Sequence, residues 1–107
     1  QARYDRVFGP VYGPGKAGED RLTAHWTQNS PLPLAESTAE ADLKGVAWYI
    51  DCGDDDFLYE GNSLLHILWR DRGIPHEYRI RDGAHNWTYW RTYIGEGLRF
   101  IGEKFHR

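Results

Sequence analysis

The sequence comprises 107 residues, a length that bounds it at one compact domain. Its net charge is −3 and its acidic and basic residues are interspersed, so no basic face marks nucleic acid or an anionic membrane as a partner. Cys52 is the only cysteine, which excludes an internal disulfide. We therefore expect no nucleic acid and no membrane as partners. The compartment stays open, because secreted, periplasmic and cytoplasmic locations all fit this composition.

Glycine and proline interrupt the first part of the chain, residues 1–45, at short intervals. This density breaks any long periodic element, so the segment is predicted to form loops around short helical turns. The clearest turn covers residues 19–26, and another covers residues 38–43 with Ser37 as its N-cap. We expect residues 1–45 to be a loop-rich segment that covers a functional site rather than building a sheet.

Two strands separated by a helix are predicted next. Residues 46–50 are apolar without alternation, which is typical of an interior strand covered on both faces. Apolar residues at helical spacing predict a helix over residues 62–72, which Gly73 and Pro75 end. Residues 76–81 alternate between apolar and charged side chains, a pattern that favours a strand near the edge of the sheet.

A final helix is predicted over residues 87–105. An apolar stripe at helical spacing is its predicted packing face: Trp87, Trp90, Ile94, Leu98, Ile101 and Phe105. The order strand, helix, strand, helix predicts the end of an α/β domain with a mostly parallel, doubly wound sheet. Two strands are too few to complete such a sheet, and the chain starts at Gln1 without any methionine. We therefore expect residues 46–107 to be a fragment of one domain whose N-terminal portion lies outside this sequence.

Acidic residues and a histidine follow the two predicted strands. Four carboxylates come at or after the end of the first strand: Asp51, Asp54, Asp55 and Asp56. His85 sits in a glycine loop after the second strand, and the carboxyl ends of parallel strands meet at one edge of a sheet. Acid before histidine is the order in which α/β-hydrolases deliver the last two members of a Ser…Asp…His triad. A hydrogen-bonded catalytic acid and base is therefore the favoured hypothesis.

The same residues have simpler interpretations. An aspartate run is by default a solvated loop, and His85 alone would be an exposed loop residue before a helix. A calcium loop of the EF-hand type does not fit the spacing of the carboxylates. The other four histidines lack zinc-ligand spacing with a cysteine pair, so no metal is expected. The remaining histidines are His25, His66, His76 and His106.

Three segments carry a resemblance to a known family. Residues 50–58, the Gly73-Ile74-Pro75 turn and residues 83–90 resemble the C-terminal half of an esterase family. That family groups esterase D and S-formylglutathione hydrolases with feruloyl and acetyl esterases and mycolyltransferases. The resemblance implies the C-terminal part of an α/β-hydrolase and a serine carboxylesterase activity that needs no cofactor.

The resemblance also implies roles for single residues. It assigns Asp56 as the catalytic acid and His85 as the catalytic base, and it places the aromatic that follows, Trp87, in the substrate-binding wall of the site or in the packing beneath it. No Gly-x-Ser-x-Gly nucleophile elbow occurs in the sequence. The nucleophile is therefore expected from the N-terminal portion of the same hydrolase, and the isolated fragment is expected to be inactive.

The substrate class and the assembly stay open within this interpretation. A small-molecule or carbohydrate-linked ester with a feruloyl or acetyl group is the expected substrate. An acyltransferase with the same triad is one alternative. A noncatalytic carbohydrate-binding or interaction domain is another, since five Trp and seven Tyr offer stacking surfaces. A homo-oligomer is a further expected form.

Overall fold

The computed structural model describes residues 1–105, so His106 lies outside the described residues. The chain forms two compact units, Gln1–Ser37 and Thr38–Arg107. Among residues 1–105, no helix combines the length and the apolarity that crossing a bilayer requires.

The first unit consists of short helices. They are α1 (Ala2–Val7), α2 (Gly9–Tyr12), a 3-10 helix (Gly18–Arg21), α3 (Ala24–Gln28) and α4 (Pro31–Ser37). Short helices occupy much of the segment that was predicted as loops around short helical turns, and the predicted turn over residues 19–26 is two separate elements. The division falls before Thr23, whose side-chain oxygen accepts a hydrogen bond from the Trp26 backbone N–H at 3.1 Å and so caps α3. Glycine and proline limit the length of these helices without preventing them.

The second unit alternates helices and strands. Its elements are α5 (Glu40–Lys44), β1 (Tyr49–Gly53), α6 (Tyr59–Arg72), β2 (Glu77–Arg81) and α7 (Trp87–Phe105). The predicted order strand, helix, strand, helix is confirmed, and the last helix has the predicted bounds. The expected N-cap at Ser37 was wrong, because α5 begins at Glu40 after Ala39 and Ser37 ends α4.

The first strand lies further along the chain than its apolar residues predicted. β1 pairs in parallel with β2 from Tyr49 opposite Glu77 to Gly53 opposite Arg81. Val46 lies outside the strand and is 50% exposed, so the prediction of a covered strand over residues 46–50 was wrong in position. The pairing starts late because Pro75 has no N–H to donate to the ladder, and β2 begins after it.

The two long helices lie on opposite faces of the two-stranded sheet. Trp48 packs against Trp69 of α6 with ring centroids 4.9 Å apart, while Tyr49 packs against Phe100 of α7 at 5.3 Å. Trp48 directly precedes β1, and its carbonyl accepts the Glu77 N–H at 3.0 Å, so the extended pairing reaches it. Adjacent residues of extended backbone point to opposite faces, so these contacts assign α6 to one face and α7 to the other. Because the strands are parallel, their carboxyl ends lie at the same edge of the sheet. One long helix covers each face.

The packing face of α7 differs from the predicted stripe. Tyr89 is 5% exposed, Phe100 contacts β1, and a Cβ added to Gly97 would lie 3.5 Å from the Tyr49 ring. Most of the predicted stripe faces outward instead, since Trp87 is 68% and Leu98 is 59% exposed, whereas Trp90 is half-buried. Two apolar faces run along this helix with the same period, and periodicity does not tell which of them meets the sheet.

Candidate active site

The loops after β1 and β2 bring Asp56 and His85 into direct contact. His85 Nδ1 and Asp56 Oδ2 are 2.9 Å apart, so the predicted contact between these two side chains is confirmed. The other carboxylate oxygen of Asp56 accepts the Leu58 backbone N–H at 2.8 Å. Asp56 is 5% exposed, whereas the His85 side chain is 41% exposed. A buried, oriented carboxylate therefore holds one nitrogen of an imidazole that is partly exposed.

Backbone hydrogen bonds continue between the two loops beyond the ends of the strands. The Asp54 N–H donates to the Arg81 carbonyl and the Asp55 N–H to the Gly83 carbonyl, both at 2.8 Å. In return, the Gly83 N–H donates to Asp54 Oδ1 at 3.1 Å. These hydrogen bonds fix the two loops relative to each other without any contribution from the side chains of Asp56 and His85.

Glycine is required where these loops approach most closely. A Cβ built on Gly53 would meet the Gly83 carbonyl and would lie 2.9 Å from the Ala84 nitrogen. Gly83 has φ of +144°, a conformation that side-chain-bearing residues rarely adopt. The absence of a side chain at both positions therefore allows the aspartate loop and the histidine loop to touch.

The other carboxylates of the cluster have different surroundings. Asp51 lies within 3.0 Å of Arg81 and accepts a hydrogen bond from Tyr89, so it joins the two strands and α7. Asp54, Asp55 and Asp82 are exposed, and one oxygen of each lies within 4.8 Å of the others. In the described part of the chain, Asp56 is the carboxylate that meets His85. The contact with His85 therefore distinguishes Asp56 from the other clustered aspartates. Its catalytic role is a separate inference.

Aromatic side chains surround His85. The Phe57 ring lies 5.0 Å from the imidazole, and the Trp90 ring lies 4.9 Å away, nearly perpendicular to it. Trp87 packs edge-on against Trp90 at 5.1 Å. Phe57 and Trp87 are 70% and 68% exposed, so they present large apolar surfaces beside the imidazole. The sequence interpretation assigned Trp87 and missed Phe57, although Phe57 directly follows Asp56.

The thiol of Cys52 is unsuited to act as a nucleophile. Cys52 is 3% exposed, and its Sγ lies 3.4 Å from the Gly53 carbonyl. Burial, and beyond it the nearby charge of Asp56, raises the pKa of this thiol, so the reactive thiolate is disfavoured.

Two further contacts were not predicted from the sequence. Asn86 Oδ1 accepts the Tyr89 backbone N–H at 3.0 Å, which caps the first turn of α7, and an asparagine before a predicted helix was the available signal. His66 Nδ1 and His76 Nε2 are 2.8 Å apart, away from the Asp56–His85 contact in the sequence. Their spacing along the chain gave no signal, because His66 lies in α6 and His76 directly precedes β2, and the fold brings the two together.

Comparison with known proteins points to one class, the esterases. The chain is 33% identical over 55 residues, or 51% of its length, to an acetyl esterase of Caldicellulosiruptor saccharolyticus. The structure is similar to that of a ferulic acid esterase with a TM-score of 0.56 and 35% identity over 78% of this chain. No sequence profile of a known protein family matches.

The matched region is a minor part of both relatives. It spans 21% of the acetyl esterase and 29% of the ferulic acid esterase. The similarity therefore supports an esterase family and an α/β-hydrolase type of fold for this region. The activity and substrate of a whole protein that contains it are inferences.

Proposed function

We propose that this chain supplies the acid and the base of a serine carboxylesterase of α/β-hydrolase fold. The observation that carries the proposal is the 2.9 Å contact between Asp56 Oδ2 and His85 Nδ1 at the carboxyl ends of two parallel strands. This is the edge at which α/β proteins bind their ligands. The similarity to two proteins named esterases supports the same reaction class.

The proposed mechanism divides two tasks between these side chains. Asp56 accepts the Nδ1–H of His85, which leaves Nε2 free to accept a proton. His85 takes the proton of a serine hydroxyl while that oxygen attacks the ester carbonyl, and returns it to the departing alcohol. Water, deprotonated by His85, then attacks the acyl-serine ester, so that the carboxylic acid product leaves and the serine regains its proton. Asp56 stays ionised throughout and stabilises the imidazolium.

The attacking serine is proposed to come from an N-terminal portion of the same hydrolase. Each of Ser30, Ser37 and Ser63 lacks the nucleophile-elbow sequence, and Ser63 Oγ hydrogen-bonds to the Tyr78 hydroxyl at 3.0 Å. The outward stripe of α7 supports a covering partner, because contiguous apolar side chains are costly to leave in water. Within residues 1–105 the sheet has two strands, so β1 also offers an unpaired edge.

A carbohydrate-linked feruloyl or acetyl ester is the proposed substrate. Phe57 and Trp87 could contact an aromatic acyl group or a sugar ring beside His85. The alternative of a noncatalytic carbohydrate-binding domain would require coplanar exposed aromatics. Of the packed pair Trp87 and Trp90, only Trp87 is exposed and the two rings are inclined at 82°, so this pair does not form a flat stacking surface; this favours the ester-hydrolase proposal. Acyl transfer to an alcohol would use the same acid and base, so a transferase stays a second candidate.

Kinetics of three variants test the proposal in a polypeptide that also carries the serine. With 4-nitrophenyl acetate, His85→Ala should lower kcat by about 1,000-fold or more, and Asp56→Asn by less but still severely. Asp54→Asn is the matched control, because asparagine keeps the Oδ1 acceptor for the Gly83 N–H. Small and equal effects at all three positions would support the binding-domain alternative. Expressed alone, the 107 residues should show no turnover.

A further inference from the structure

The first turn of α7 contains a buried tyrosine whose contacts reach both sides of His85. Tyr89 is 5% exposed, and its hydroxyl lies against the Asp51 carboxylate and 2.9 Å from the Cys52 carbonyl. Both acceptors belong to β1, the strand that leads to Asp56. The hydroxyl therefore ties the beginning of α7 to the strand that positions the acid.

The Tyr89 ring also supports the loop that precedes His85. A Cβ built on Gly83 would collide with this ring, so the Gly83 backbone is in direct contact with it. Gly83 has φ of +144°, and its carbonyl accepts the Asp55 N–H. The segment between the end of β2 and His85 is thus held between Tyr89 and the aspartate loop.

The backbone of Tyr89 holds the chain on the other side of His85. The Tyr89 N–H donates to Asn86 Oδ1 at 3.0 Å, and the Asn86 N–H donates to the Ala84 carbonyl at 2.9 Å. His85 therefore lies in a short turn with Gly83 against the Tyr89 ring and Asn86 bound to the Tyr89 backbone. These contacts constrain the backbone on both sides of His85.

The acceptor for the tyrosine hydroxyl is itself fixed. Asp51 Oδ2 accepts from Arg81 at 3.0 Å and from Tyr49 at 3.2 Å, and Arg81 also pairs with Glu96 of α7. Burial, and then the neighbouring Asp51 carboxylate, raises the pKa of Tyr89, so its hydroxyl stays a proton donor in neutral solution. The hydroxyl consequently has one preferred position.

We propose that Tyr89 is a positioning residue for His85, which it holds in line with Asp56 through its ring on Gly83 and its hydroxyl on β1. This inference rests on the proposed esterase function for its kinetic consequence only. The geometric consequence, a weaker His85–Asp56 hydrogen bond without the Tyr89 hydroxyl, is independent of catalysis.

The test uses Tyr89→Phe and the control Tyr93→Phe in the polypeptide as it is naturally produced. Tyr93 packs on Tyr89 at 4.8 Å, one turn further from His85, so the control removes a hydroxyl from the same face of α7. The first readout is the downfield proton signal of His85 Nδ1–H, assigned by its loss in His85→Gln. The second readout is the separate effect of each variant on kcat and on KM for a soluble ester.

Tyr89→Phe should broaden or shift the Nδ1–H signal and lower kcat by about 10-fold with KM within about twofold, whereas Tyr93→Phe should leave both unchanged. Tyr89→Leu, which also removes the ring from Gly83, should have a larger effect, and the phenylalanine variant decides if the leucine variant does not fold. A folded Tyr89→Phe protein with an unchanged signal and unchanged kcat would overturn the positioning role. A changed signal in a protein whose turnover does not depend on His85 would instead refute the esterase function and leave the positioning role intact.

Discussion

Replacing Gly53 by alanine should separate the two functional loops. The added Cβ would lie 2.6 Å from the Gly83 carbonyl carbon and 2.9 Å from the Ala84 nitrogen, and ordinary contact begins at 3.4 Å. Both neighbours are backbone atoms and cannot rotate away, so the loops must move apart by about 0.8 Å at the carbonyl carbon. Overpacking of this kind costs about 1–3 kcal/mol of the free energy of unfolding.

The same displacement should affect catalysis more than stability. The Asp55 N–H to Gly83 carbonyl bond crosses the gap that the new methyl group would open, and Asp56 is the next residue. A displacement of about 1 Å between catalytic groups costs on the order of 100-fold in rate. Urea unfolding and ester hydrolysis measure the two effects separately in a polypeptide that carries the serine.

A helical glycine without neighbours provides the control for this substitution. A Cβ on Gly95 of α7 would meet nothing within 4 Å, so Gly95→Ala should stabilise the protein by up to about 1 kcal/mol and leave the rate unchanged. Wild-type stability and activity in Gly53→Ala would refute the reasoning that this close backbone contact positions the acid and the base.

Two further predictions concern Trp87 and the pair of histidines. Trp87→Ala should raise KM for a feruloyl ester more than for an acetyl ester, with little change in the urea midpoint, because the side chain is 68% exposed; equal KM values for both esters would remove Trp87 from the substrate site. Burial, and then His76 and Arg70, lowers the pKa of His66, so the unfolded chain binds the proton more tightly. The free energy of unfolding should therefore fall as pH drops below about 6.5. Urea titrations between about pH 5 and pH 8 should show a flatter profile for His66→Gln, and an unchanged slope would contradict this assignment.

The elements that sequence analysis found correctly have strong local signals. Helix α7 follows a glycine loop and carries apolar residues at constant spacing, and its bounds are those observed, Trp87–Phe105. The Asp56–His85 contact was predictable because both residues follow consecutive strands that pair in parallel. Because the strands pair in parallel, two residues that are 29 positions apart in the chain lie 2.9 Å apart in the structure.

The errors arise where a tertiary contact decides between equivalent local patterns. The apolarity of residues 46–50 indicated a strand, but Pro75 delays pairing and moves β1 to Tyr49–Gly53. The outer stripe of α7 is more apolar in sequence than the inner one, yet the inner face meets the sheet, where the Tyr89 hydroxyl donates to acceptors on β1. Hydrogen bonds between side chains that are distant in sequence leave no periodic signal.

Covalent labelling of the nucleophile tests the central claim most directly. An alkyl fluorophosphonate should modify one serine outside these 107 residues in the natural polypeptide, since the nucleophile elbow is absent from them. The labelling rate should fall by orders of magnitude in His85→Ala, because the hydroxyl then lacks its base. A label mapped by mass spectrometry to Ser30, Ser37 or Ser63, or a labelling rate that is independent of His85, would contradict the account.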